Sequence, residues 1–403
     1  MHLVLFSHAE NILTPHSKME LKEQLVYFDY NATTPVDKRV LDAMLPFLTD
    51  NFANASSTHH FGLSVNEAVK TARTKVAALI GAEENEIIFT SGSTEAINIA
   101  LKGVAENYSA KGKHIVTVST EHSAVLDTCK HLETKGYEVT YLPVNSFGLI
   151  DLNELKSALR ADTILVCVMY VNNETGVIQP IKEIALLTHE AGAIFMTDAT
   201  QATGKIEIDV DALGIDLLCI SGHKMYAPKG VGALYVRQRM NRLKLTALIH
   251  GGGHENGLRS GTLNVPSIVA LGVTCEISQQ EMKQDAERIS TLRNDLENEL
   301  LKIEGTFVNG KTENRIFNTT NICFRGSDAN VMIGRMKKVA VSNGSACSSA
   351  VVEPSHVLTA MGLNDVDAFA SIRFSLGKFN TENEVKTVVK IISELTLPNF
   401  RYA

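Results

Sequence analysis

Short apolar runs alternate along this chain with stretches of helical spacing, and small polar clusters separate them. Val26-Tyr27-Phe28-Asp29-Tyr30 reads as a strand, and Asn31-Ala32-Thr33-Thr34-Pro35 turns out of it. Residues 37–48 have helical spacing, 54–62 form a polar loop rich in Ser and His, and 65–80 predict an amphipathic helix stopped by Gly81. From residue 86 the pattern becomes regular. Strands predicted over 86–90, 114–118, 138–142, 163–171, 193–198, 217–220 and 232–236 are interleaved with helices ending at 101, starting at 124, and spanning 151–159 and 181–191. Such alternation implies an α/β fold with a mostly parallel sheet covered by helices on both faces. Ligands of such sheets lie beyond the carboxyl ends of the strands. Thr94, His122, Asn173, Asp198 and Lys224 each follow a predicted strand, so they converge on one crevice although up to 130 residues separate them.

A long helical stretch from Ser267 to about Leu301 then leads into a second, smaller α+β part. Its strands are predicted at 318–324, 339–342 and 371–375, and its helices at 330–336 and 381–395. Residues 1–26 have no clear periodicity and read as a loose arm or one short helix, with Met19 as a second possible start that would make 1–18 dispensable.

Composition narrows the class. With 403 residues, 44% of them hydrophobic, the chain can build a large core, which excludes a disordered or fibrous protein. A formal net charge of −7 provides no basic field for direct nucleic-acid binding. No apolar run approaches a membrane span, and Leu3-Val4-Leu5-Phe6 is too short for a signal-peptide core. The six cysteines contain no C-x-x-C pair, and a disulfide framework does not suit a chain this long and apolar, so a cytoplasmic, reducing setting is expected.

The chemistry centres on Ser221-Gly222-His223-Lys224-Met225-Tyr226-Ala227-Pro228-Lys229-Gly230, which lies between two apolar runs. A lysine wedged between buried strands is a poor surface charge; desolvation would make its amine nucleophilic toward a carbonyl. The alternative is a turn lysine facing water. Ser91-Gly92-Ser93-Thr94 lies between a strand and a helix and could cradle a phosphate, or simply cap the helix. Ser221 and His223 could add phosphate contacts. Asp198 ends an apolar strand, where a protonated ring nitrogen such as that of pyridoxal phosphate would satisfy it; capping the next helix is the alternative. Gln201 follows one turn later and could reach the same ring. His122 could cover a ring and carry protons, or be bonded within the core. Arg373 sits in a period-two strand and could hold a substrate carboxylate. Cys347 differs from the other five cysteines because small polar residues surround it, from Ser342 to Ala350; it reads as a reactive loop thiol or an incidental one. His250-Gly251-Gly252-Gly253-His254 lacks a carboxylate partner and reads as flexible backbone rather than a metal site, and Arg259-Ser260-Gly261-Thr262 could bind another anion.

Taken together, these strings resemble the pyridoxal-phosphate-dependent cysteine desulfurases, in the class V aminotransferase group of fold type I. The resemblance runs from about Tyr27 to about Leu395. It is carried by Asp29-Tyr30-Asn31-Ala32-Thr33-Thr34-Pro35, Thr90-Ser91-Gly92-Ser93-Thr94-Glu95, Thr120-Glu121-His122, Asn172-Asn173-Glu174, Asp198-Ala199-Thr200-Gln201, Ser221-Gly222-His223-Lys224 and Gly344-Ser345-Ala346-Cys347. It implies a large cofactor domain over 34–275, with 1–33 and 276–403 forming a small domain that carries the cysteine loop. Lys224 would hold the cofactor covalently, His122 would stack on its ring, Asp198 would pair with the ring nitrogen and Gln201 would bond the ring oxygen. Thr94, Ser221 and His223 would hold the phosphate, and Thr262 would reach the phosphate of the other subunit of a homodimer. Arg373 and Asn173, with Asn54 nearby, would orient L-cysteine, and Cys347 would accept its sulfur as a persulfide for an acceptor protein. An aminotransferase, a selenocysteine lyase or a non-catalytic scaffold on the same fold are the competing readings. The chain stops at Arg401-Tyr402-Ala403, where members that feed iron–sulfur scaffolds carry a longer tail. A specialised acceptor is therefore expected: a nitrogenase-type cluster pathway, tRNA thiolation or DNA phosphorothioation.

Overall fold

The predicted alternation of apolar runs and amphipathic helices appears as a seven-stranded sheet between two helical layers. The structure is a computed structural model describing residues 25–239, 243–311, 313–344 and 353–396. In chain order, β1 (Val26–Tyr27) precedes α1 (Lys38–Met44), α2 (Pro46–Thr49) and α3 (His60–Ile80). The main repeat is β2 (Ile87–Thr90), α4 (Ser93–Asn107), β3 (His114–Val118), α5 (Ser123–Glu133), β4 (Glu138–Leu142), α6 (Leu152–Ala158), β5 (Thr163–Cys167), α7 (Ile181–Glu190), β6 (Ile194–Asp198), β7 (Leu217–Ser221) and β8 (Gly232–Val236). After α8 (Val265–Leu300) come β9 (Thr306–Val308), β10 (Thr319–Phe324), α9 (Ala329–Arg335), β11 (Val339–Ala340), α10 (His356–Ala360), α11 (Asp365–Phe369), β12 (Ser371–Ser375) and α12 (Glu382–Leu395).

Strand order in the large sheet is β2-β8-β7-β6-β5-β3-β4. Only β8 runs antiparallel to its neighbours. The chain moves outward from β3 to β4 and returns to β5, so the order reverses between β3 and β5, where open sheets form a crevice at their carboxyl ends. β3, β5, β6, β7 and β8 are buried along their whole length, as strands covered on both faces must be. One core, drawn from α3 and α8 among others, includes Val116, Phe195 and Tyr235; the other, under α4 and α5, includes Ile115, Met196 and Leu234. Neighbouring strand residues thus point to opposite faces.

A third core joins Val26 and Phe28 to residues from Ile289 to Ile392. It lies against the antiparallel sheet β12-β10-β9, and β1 pairs with β11 beside it. Single bridges from Asp29 to Ser375 and from Ser342 to Arg373 tie these pieces together. Two predicted elements came out differently. The helix expected over 37–48 is split at Pro46, which opens α2 and has no N–H to continue a helix. The strand expected over 163–171 ends at Cys167, yet Val168 and Tyr170 still donate to Met196 and Asp198 carbonyls, so the chain stays extended toward Asn173.

Candidate active site

Lys224 closes a single 3₁₀ turn, Gly222–Lys224, directly after β7. Its Nζ donates to the carbonyls of Asn31 (2.6 Å) and Ala32 (2.8 Å). The turn is held from the same direction, because Thr34 donates to the His223 carbonyl through both N and Oγ1 and accepts from Tyr226 N. Tyr226 takes a positive φ of 71°, uncommon for a bulky residue, and its hydroxyl accepts from Lys378 N. The polar segment after β1 therefore packs directly against the lysine's turn.

Asn31 is the meeting point. It is 2% exposed. Its carbonyl also accepts from Gln201 Nε2 (3.0 Å), and its side-chain amide donates to the Asn173 carbonyl and to Thr319 Oγ1. The Asn173 carbonyl accepts in turn from Arg373 Nη1 (3.1 Å). Arg373 is buried on β12, pairs with Asp29 at 2.6 Å through Nη2, and its Nε has no partner among the described residues. That orphaned donor suits a carboxylate, since an unpaired buried N–H is costly.

Asp198 ends β6, is buried, and accepts from Thr200 N through Oδ1. No lysine or arginine pairs with it among the described residues. His122 caps α5, and its Nδ1 accepts from Ala124 N, so the proton of the neutral ring sits on Nε2. Burial lowers the His122 pKa; Asp198 opposes this, while Lys224 and His356 reinforce it. His223 is pulled down to about 4, first by burial and then by Lys224. Its Nδ1 lies 3.1 Å from Thr33 Oγ1.

At the opposite end, Gly92 (φ +152°) precedes α4 and offers that helix no side-chain cap. A Cβ on Gly92 would lie 3.7 Å from Ser221 Oγ, so the turn before α4 lies against the end of β7. A cleft of about 420 Å³ opens beside it, lined by Thr94, His122, Asn98, Ser123, Asp127 and His131. Asn54 and Thr262 stand apart on exposed loops; Asn54 Oδ1 accepts from Ser56 N within its own turn. Cys347 lies outside the described residues. The five other cysteines are buried free thiols, and burial raises the pKa of each.

Residues 26–388 match the family described as Aminotransferase class-V. The chain is 51% identical over 370 residues to a protein of Pectobacterium carotovorum named Cysteine desulfurase IscS, covering 91% of each chain. The chain belongs to the cysteine desulfurase family. Among solved structures, a NifS-like protein is 38% identical with a TM-score of 0.86, covering 92% of this chain and 98% of its own. A structure described as SspA in complex with cysteine is 39% identical with a TM-score of 0.78, covering 88% and 100%.

Cysteine desulfurases use pyridoxal phosphate, and this chain's residues fit it. The turn at Gly92 and the start of α4, which has no side-chain cap, suit its phosphate, and the buried Asp198, without a cationic partner among the described residues, suits its ring nitrogen. Sequence reasoning missed Asn31 and Glu121 as individual residues. Glu121 is fully buried, and its carboxyl is pushed well above the usual range by desolvation. Its Oε1 accepts from Met169 N, while Oε2 has no partner among the described residues. Both residues lie inside strings quoted above, but nothing in their spacing marks them as buried.

Proposed function

We propose that Lys224, Asp198, His122, Gln201, Thr94, Ser221 and His223 hold pyridoxal phosphate, and that Arg373 and Asn173 orient the carboxylate of L-cysteine. One observation carries this reading: Asn31 links the Lys224 amine to the Arg373 guanidinium through the Asn173 carbonyl. When bound, the cofactor supplies an aldehyde that takes an amine and a ring that draws off the electron pair released at the substrate's α-carbon. Asp198 keeps a positive charge on the ring nitrogen. Lys224 takes the α-proton. The Cys347 thiolate attacks the substrate sulfur, the bond from that sulfur to carbon breaks, and the carbon is reprotonated. The net change is cysteine plus a thiol giving alanine plus a persulfide.

The two flanks of the cysteine segment support a role for Cys347. Ser342 bonds the Arg373 backbone in both directions, and Gly344 N donates to Ser342 Oγ. On the far side, Ser355 Oγ donates to Glu174 Oε2, and His356 Nε2 lies 2.9 Å from the Glu121 carbonyl.

We further propose that Asn54 lies near the bound L-cysteine, and a homodimer in which Thr262 reaches the partner's phosphate; both residues stand on exposed loops. Division into a large domain over 34–275 and a small one from 1–33 and 276–403 agrees with the third core, whose members start again at Ile289 on α8. A cytoplasmic setting agrees with five unpaired thiols. The sulfur goes to an acceptor protein, in iron–sulfur cluster assembly, tRNA thiolation or DNA phosphorothioation. The test is incubation with L-cysteine, following alanine and Cys347 persulfide, with candidate acceptors side by side. K224A abolishes both products. C347S retains cofactor binding but loses persulfide; continued turnover of C347S with cysteine would point to a transaminase instead.

A further inference from the structure

Lys205 lies one helical turn beyond Gln201, and no step above uses it. It is partly buried, and its Nζ is 2.7 Å from Gln201 Oε1. Gln201 is 4% exposed. Its Nε2 donates to the Asn31 carbonyl, which also receives Lys224 Nζ. The series is Lys205 Nζ, Gln201 amide, Asn31 carbonyl, Lys224 Nζ, over 2.7, 3.0 and 2.6 Å.

The Asn31 end of this series fixes the direction of the amide. A carbonyl only accepts, so the Gln201 atom facing Asn31 must be the nitrogen. With the nitrogen turned to Asn31, the amide oxygen faces Lys205, whose amine donates to it at 2.7 Å. Flipping the amide would set two oxygens against each other and the amide nitrogen against the Lys205 amine. The Nε2 group has a second N–H, which makes no hydrogen bond among the described residues. Loss of water around the Lys205 amine, followed by the nearby Lys224 and Arg373 charges, pulls its pKa down to about 7. This amine therefore stands in the electrostatic field of the site itself.

We propose that Lys205 is a positioning residue for the desulfurase reaction, locking the Gln201 amide so that it presents an N–H donor to the oxygen on the cofactor ring. This rests on the reading that Gln201 meets that oxygen. A ring oxygen bearing negative charge needs a donor, and without Lys205 the amide is held by the Asn31 carbonyl alone, so any flipped fraction would offer a repelling oxygen.

The test uses the holoenzyme and reads the visible absorption band of the bound cofactor together with kcat and KM for L-cysteine. K205M is expected to shift the band and lower kcat/KM about tenfold, the loss expected for one charge-assisted hydrogen bond, with thermal midpoint nearly unchanged. K205R, which keeps a donor, is expected to restore the native band. Q201E supplies a second, independent variant: Lys205 can pair with the new carboxylate, so the fold is kept, but no donor faces the site and the band shifts. A native band and native kcat/KM in K205M, alongside a shifted band in Q201A, would overturn the proposal while leaving Gln201 at the cofactor. A native band in Q201A or in folded Q201E removes Gln201 from the cofactor, and the proposal falls with that reading.

Discussion

Arg373 shows how much a single side chain must do here. Its guanidinium is shared between Asp29, the Asn173 carbonyl and one unfilled N–H, so its planar fork matters more than its charge. R373K is expected to raise KM for L-cysteine by about 10- to 100-fold with a smaller change in kcat, measured as initial rates of alanine release. His223 carries a pH signature. Its pKa falls from 6.5 to about 4 in the folded chain. The unfolded state binds the extra proton between those values, so the contribution of His223 is complete above pH 6.5 and lost as pH drops toward 4. Because the ring is partly solvated, the loss should be on the order of 1 kcal/mol. Urea midpoints at pH 7 and pH 5 should therefore differ less in H223N than in the native protein. Lys224, Asp198 and His122 were legible one by one, because each is a polar residue at or just beyond the end of an apolar run, and Arg373 because it is a charge inside a short period-two strand. Asn31 was not, because its partners Asn173, Gln201, Lys224 and Thr319 lie 142 to 288 residues away in sequence. Lys205 left a fainter trace, its i, i+4 spacing from Gln201.

Among the elements, the periodic ones were read closely from sequence, since burial on both faces makes stretches such as 217–220 and 232–236 continuous apolar runs. The short helices α10 and α11 and the strand β9 were missed, because five or fewer residues do not establish a period. The junction of β2, β8 and α4 is where backbone spacing decides function. A Cβ on Gly232 would strike the Ile220 carbonyl and the Gly92 backbone. G232A should therefore push the Gly92 turn off Ser221, costing about 1–3 kcal/mol of stability and weakening cofactor retention together. Chemical denaturation and cofactor release on dialysis should move in parallel; a destabilised protein that holds its cofactor normally would separate the turn from the phosphate. Glu174 makes a comparable junction on the other side of the site. It accepts from Ser355 Oγ, and a Cβ on Gly344 would collide with its carboxylate, so one buried acid touches both flanks of the cysteine segment. E174A is expected to raise the rate of Cys347 alkylation by iodoacetamide severalfold while leaving the cofactor band in place.

For the molecule as a whole, the decisive surface lies on the stretch from α1 to the start of α3. Leu41, Leu45 and Leu48 are exposed there, and Phe52 and Phe61 are 77% and 72% exposed. Large apolar side chains gathered on one stretch of chain mark an interaction surface. It adjoins the loop that carries Thr262, because Ser56 Oγ lies 3.2 Å from His254 Nε2 and Arg259 pairs with Glu95 in the first turn of α4. One surface thus combines exposed hydrophobics, the exposed Asn54 and Thr262, and the start of α4, the helix proposed to meet the phosphate. A two-fold contact through it would cover the apolar residues and bring each Thr262 to the other subunit's phosphate in one step. The double variant F52D/F61D is expected to sediment as a monomer and to hold pyridoxal phosphate more weakly than the native protein. T262A should keep the dimer but share the weakened cofactor retention. Sedimentation velocity and cofactor titration on the same samples separate the two effects. A monomer that binds cofactor with native affinity would confine the site to one chain and leave Thr262 without its assigned role.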